Sequence, residues 1–201
     1  MLHKPFKPVA AILLAAVALL ACGSALAHGP FGGGTSIWTA TFHLGTSPLS
    51  LAALIGLALV LFGMGEPWSV IAAALAAAAA VAATALSPYL APVLAPAAVV
   101  IIGLSAVAGW SPPTGFAFAL ALLAGLAAGS AADLEQPRWQ DLVGMGASVL
   151  IATFWLLAVS DNINRSGRLK TVLPIARRVL GSWVAAIALL VGALALLGKH
   201  A

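Results

Sequence analysis

Charge is what this sequence has least of. Only 7% of its 201 residues are Asp, Glu, Lys or Arg, against 63% hydrophobic. A soluble domain carries about 25% charged and 45–50% apolar residues. So few charges cannot cover the water-facing surface of a chain this long, which excludes an ordinary soluble globule. Cysteine is nearly missing as well: Cys22 stands alone. One thiol forms no intramolecular disulfide, and removal of the first 27 residues would leave no thiolate ligand or cysteine nucleophile. The five carboxylates fall at the ends of apolar runs or between them, and no ionisable residue interrupts the middle of a run. Proton-driven carriers keep such a group at mid-membrane, because a buried charge is costly and is retained for function. Its lack argues against that mechanism. There is no phosphate-binding glycine loop, no His-Glu-x-x-His pair and no usable Ser/His/Asp set, so the expectation is that the chain is not an enzyme.

What is there is apolar sequence in long runs, at about 48–65, 68–87, 90–109, 115–131, 142–159 and 179–197. Runs near 18–20 residues without charge are the length a helix needs to cross a bilayer. Breakers separate them: Glu66-Pro67, Ser87-Pro88, the stretch Trp110 to Pro113, and the polar segments 133–141 and 160–178. Membrane β-strands would alternate apolar and polar residues, and these segments do not. The expected fold is therefore all-α: a polytopic membrane helical bundle of about six transmembrane helices after a signal peptide. Asp161, Asn162 and Asn164 read as turn residues within the last polar segment.

The start has the form of a secretory leader, with Lys4 and Lys7 as basic residues, Val9 to Ala21 as an apolar stretch and Ala25-Leu26-Ala27 as a cleavage site. Cleavage would leave His28 first. Two alternatives stay open: lipidation at Cys22 behind a loose lipobox, Leu19-Leu20-Ala21, and retention of the leader as a helix. The division is then 1–27 signal peptide, 28–47 periplasmic N-terminal segment and 48–201 transmembrane domain. With His28 outside, six crossings put Glu66 inside, the Asp133/Glu135/Arg138/Asp141 loop outside and the 160–178 loop inside. That last loop holds Arg165, Arg168, Lys170, Arg177 and Arg178. The most basic loop thus falls on the cytoplasmic side, as the positive-inside rule requires. The location implied is the bacterial inner (cytoplasmic) membrane, with both mature termini periplasmic. The net charge of +4 is accordingly topological, with contact to anionic lipid, and implies no nucleic-acid partner.

Residues 72–85 are almost all alanine and valine, and Gly125 with Gly129 makes a small-xxx-small pair. Small side chains let membrane helices approach closely enough for dispersion to hold them. The segment 28–47, with Gly32 to Gly34, Phe31, Trp38 and Phe42, reads as an interfacial anchor or as a cap that docks a partner. His28 and His43 map to the same outer side, as does His200. A terminal His28 offers an amine and a ring nitrogen, and His43 could join it, a donor set suited to nickel or copper. The plain alternative is a pair of interfacial histidines with water partners.

Several segments together resemble a known family. The leader ending Ala25-Leu26-Ala27 before His28, Phe42-His43 ahead of the first span, and the closing run Ala176 to Leu190 are similar to the HupE/UreJ family. These are small six-helix membrane accessory proteins of hydrogenase and urease systems, some regarded as nickel permeases. The resemblance implies a metal-linked accessory or permease role with a metalloenzyme partner in the lipid bilayer. The alternative is a non-transporting scaffold or subunit of a membrane enzyme complex. At positions where the family carries further histidines, this chain has Ser50, Ala124 and Ala128.

Overall fold

The computed structural model describes residues 37–62, 64–86, 93–131, 137–165 and 172–197. All belong to Thr35–Ala201, the second of two units, the first being Met1–Gly34. The leader, His28 and His200 lie outside the described residues. Among those described, every regular element is a helix: α1 (Ile37–Thr46), α2 (Pro48–Leu61), α3 (Trp68–Leu86), α4 (Leu94–Ala108), α5 (Thr114–Ser130), α6 (Trp139–Arg165) and α7 (Leu173–Leu197). The all-helical bundle expected from the apolar runs is what the described residues form.

Local chemistry sets the joints. Pro48 cannot extend a helix and holds Ser47 in extended backbone (φ −79°, ψ 112°), so α1 stops and α2 starts afresh with Pro at its first turn. The Ser47 hydroxyl accepts the Ser50 N–H at 3.3 Å, capping α2. The two axes meet at 79°. α4 ends on Gly109, whose φ of 68° is the left-handed cap that glycine adopts without penalty. Arg138 precedes α6, and its N–H donates to Asp141 Oδ2 at 2.9 Å, closing the first turn in the manner of a capping box.

Two glycine seams hold the bundle. In the first, α5 lies on α3: a Cβ on Gly125 would overlap the Ala76 carbonyl, and one on Gly129 the Ala80 carbonyl. In the second, α4 lies on α7, where a Cβ on Gly103 would come within 2.9 Å of the Gly181 carbonyl and one on Gly181 within 2.9 Å of the Gly103 carbonyl. α2 runs between the seams and is buried nearly all round, with Leu54, Leu57, Val60 and Leu61 in the core. Gly56 lets it settle against Ile102 and Val184, one from each helix of the second seam.

Three described helices are long and apolar enough to cross a membrane: Trp68–Leu86, Trp139–Ile163 and Leu173–Leu197. The bent pair α1–α2 makes a fourth if counted as one span. α4 and α5 have 15 and 17 residues, or about 22 and 26 Å at about 1.5 Å per residue, short of a hydrocarbon core of about 30 Å. Two expectations need correction. Asp161, Asn162 and Asn164 are not in a turn but in the last turns of α6, which continues past residue 159 to Arg165. The 28–47 segment contains a helix, α1, that the composition did not announce.

Candidate functional site

Chemistry-bearing side chains collect at the two ends of the bundle. At one end the start of α2, the end of α3, the end of α5 and the α1–α6 contact come together. Ser50 Oγ donates to the Ala128 carbonyl at 3.1 Å, across 78 residues of sequence. Thr84 Oγ1 donates to Ala80 O at 2.8 Å within its own helix and lies 3.4 Å from Gly129 O. Thr41 Oγ1 and Ser148 Oγ share a hydrogen bond of 2.7 Å between α1 and α6. Ser50, Thr84, Ala124 and Ala128 are completely buried. The Ser50 and Thr84 hydroxyls bond to backbone carbonyls at a close helix crossing, which seals the crossing.

Of the histidines singled out as ligands, His43 lies in the last turns of α1 and is exposed. His28 lies outside the described residues. Ser50 and Ala128, singled out by the same resemblance, are brought into contact, and Ala124 is one turn earlier on α5. Among the described residues no group of three or more His, Cys, Asp or Glu is placed to hold a metal ion. His43 thus supplies one imidazole, and a transition metal needs several donors to displace its water.

Asp141, near the same end, is 2% exposed; its Oδ2 caps α6 and its Oδ1 has no hydrogen-bond partner among the described residues. In the middle of α6 the fully buried Thr153 hydroxyl is likewise without a partner.

The other end holds a cleft of about 570 Å³ between the α2–α3 turn and the last turns of α6. Phe62, Phe154 and Leu157 form its apolar wall, and Glu66, Ser160 and Asp161 stand at its polar rim. Apart from the cleft, Arg177 of α7 reaches back to the α4–α5 turn, its Nη2 donating to the Trp110 carbonyl at 3.0 Å. Sequence reasoning treated Arg177 as one charge of a basic loop that sets orientation and contacts anionic lipid; it is 9% exposed and tied to a distant turn. The apolar run read from the sequence starts at 179, whereas α7 starts at Leu173 and takes Arg177 into the helix, which no local signal announced.

No family model matches the chain, and neither a curated protein nor a solved structure matches it.

Proposed function

We propose that the protein is a six-span accessory protein of the bacterial inner membrane, of the HupE/UreJ kind, and that it serves a membrane metalloenzyme system as a scaffold rather than a permease. For the membrane, support comes from the three long apolar helices and the bent α1–α2 pair. Trp68, Trp110 and Trp139 stand exposed at helix ends, the level at which indoles anchor to headgroups. The shorter α4 and α5 are accommodated by local thinning of the bilayer, at modest cost.

One observation carries the choice of scaffold. The three positions where the resemblance would place metal-path histidines, Ser50, Ala124 and Ala128, lie in the sealed crossing of α2, α3 and α5. Ala124 and Ala128 are completely buried, so an imidazole at either position would have to displace packed core. The family scaffold persists with its ligands exchanged for packing. Deleting the gene is expected to lower hydrogenase or urease activity, with no rescue by added nickel and no change in cellular uptake of radioactive nickel. Rescue by added nickel, or uptake that rises with expression, would reinstate the permease.

A second reading, capture of nickel or copper at the outer face by His28 and His43, is favoured by the exposure of His43 on α1. Calorimetry on the purified mature protein tests it: saturable binding lost in the His28→Ala/His43→Ala pair supports capture, and full binding by that pair removes it. Only neutral imidazole coordinates, so binding must weaken as the pH is lowered.

A further inference from the structure

We propose that the α4–α5 turn and the first turns of α7 form a binding site for the phosphate of an anionic phospholipid headgroup, held by Arg177 and Arg178. The inference rests on the inner-membrane reading above for the leaflet concerned, but not on the scaffold role. Arg177 is nine-tenths buried, and among the described residues it makes one hydrogen bond, to the Trp110 carbonyl at 3.0 Å, and no ion pair. Its Nε is buried with no partner among those residues. A guanidinium never loses its charge under ordinary conditions, so a buried one without a carboxylate needs an anion from elsewhere.

Arg178 converges on the same turn. Its Nε lies 3.2 Å from where a Cβ on Gly109 would sit, so the guanidinium rests across the bare face of that glycine. Gly109 is held at φ 68°, which both ends α4 and opens the surface Arg178 occupies. Arg178 is exposed and among the described residues makes no hydrogen bond or ion pair. Two adjacent cations of α7 over the five-residue turn 109–113, neither neutralised by a carboxylate among the described residues, match a phosphate, whose oxygens accept the planar fork of an arginine.

A lipid fits better than free phosphate because the surroundings are apolar. Trp110 packs on Phe116 with ring centroids 5.5 Å apart at 56°, and both are exposed. On α7, Ile175 and Val179 are also exposed, beside the arginines in sequence. A headgroup on the arginines would leave its acyl chains against these residues, which an inorganic anion does not use.

The test is native mass spectrometry of the full chain in neutral detergent, titrated with dioleoyl phosphatidylglycerol, dioleoyl phosphatidylcholine or inorganic phosphate. Phosphatidylglycerol is expected to bind at least tenfold more tightly than phosphatidylcholine. Arg178→Gln is expected to remove that preference, and Arg177→Gln with Arg178→Gln to lower affinity further. Should the double variant fail to fold by circular dichroism, Arg178→Gln decides alone, since that side chain makes no described bond. Equal binding of the two lipids, an unchanged preference in Arg178→Gln, or displacement of the lipid by millimolar phosphate would overturn the site. The leaflet is tested separately with Ser111→Cys in a Cys22→Ser background. Labelling by an impermeant thiol reagent in inverted vesicles alone supports the inner leaflet. Labelling in spheroplasts overturns that placement, and the topology with it, whatever the affinity in detergent.

Discussion

Half of the apolar stretch of α3 is buried within the bundle, whereas in α6 and α7 the share is 22%. The difference follows the side chains. Along α3 the inward positions are alanines such as Ala72, Ala76, Ala80 and Ala83, all completely buried. Alanine brings little area to a contact, so its helix must come close, and Gly125 and Gly129 of α5 allow it to. Along α6 and α7 the large residues point outward: Ile151, Trp155, Trp183, Leu190 and Leu194 are all well exposed. In water such a surface would drive aggregation; in the proposed bilayer it faces lipid at no cost. Helix cohesion in this chain therefore depends on its smallest residues, and its largest ones serve the solvent.

Adding bulk to the seam is the strongest way to break that contrast. Gly125→Leu would press a side chain into the Ala76 carbonyl, backbone that cannot step aside. Expected is a loss of about 3 kcal/mol or more, read as collapse of the monodisperse peak in detergent gel filtration. The next residue, Leu126, is exposed, and Leu126→Ala should leave that peak unchanged. A smaller loss, about 1–3 kcal/mol, is expected for Gly181→Ala in the second seam, where the new methyl meets Ala106, the Gly103 carbonyl and the Val107 amide at 2.9 Å. The thermal midpoint by circular dichroism measures it, and an unchanged midpoint would mean the second seam is looser than the first. Thr153→Val runs the other way. It replaces a buried hydroxyl that has no partner among the described residues with a methyl of the same shape, and a gain of about 1 kcal/mol is expected. A falling midpoint would reveal that the hydroxyl is satisfied after all. Least of all should follow from Leu190→Ala on the outward face of α7, within about 0.5 kcal/mol; a large loss there would mean that protein, not lipid, covers the face.

Much of the fold was legible because apolar runs of helix length formed helices, and the breakers Glu66-Pro67 and Trp110 to Pro113 stand at joints among the described residues. The Gly125/Gly129 pair could be seen in advance, but its partners Ala76 and Ala80 could not. Within a run of alanine every register looks alike, and only the three-dimensional fit selects one. α1 was not legible: Thr46-Ser47-Pro48 carries a stop and the cap of α2, but the ten residues of α1 have no acidic first turn and no Asp, Glu, Lys or Arg to mark a helix. The end of α6 was misplaced for a different reason. Asp161 and Asn162 favour turns locally, yet a helix already propagating loses little by including them. For the sites, His43 was legible as an accessible imidazole. The Ser50–Ala128 bond spans 78 residues, and Arg177 owes its burial to a turn 67 residues away; neither separation leaves a trace in local sequence.

The proposed six-span topology underlies the orientation assigned to both ends of the bundle, and fusions placed after Ala201 test it most directly. Two reporters are needed, one active only in the periplasm and one only in the cytoplasm. The proposed topology requires activity from the periplasmic reporter and silence from the cytoplasmic one. Activity of the cytoplasmic fusion with silence of the other would contradict it.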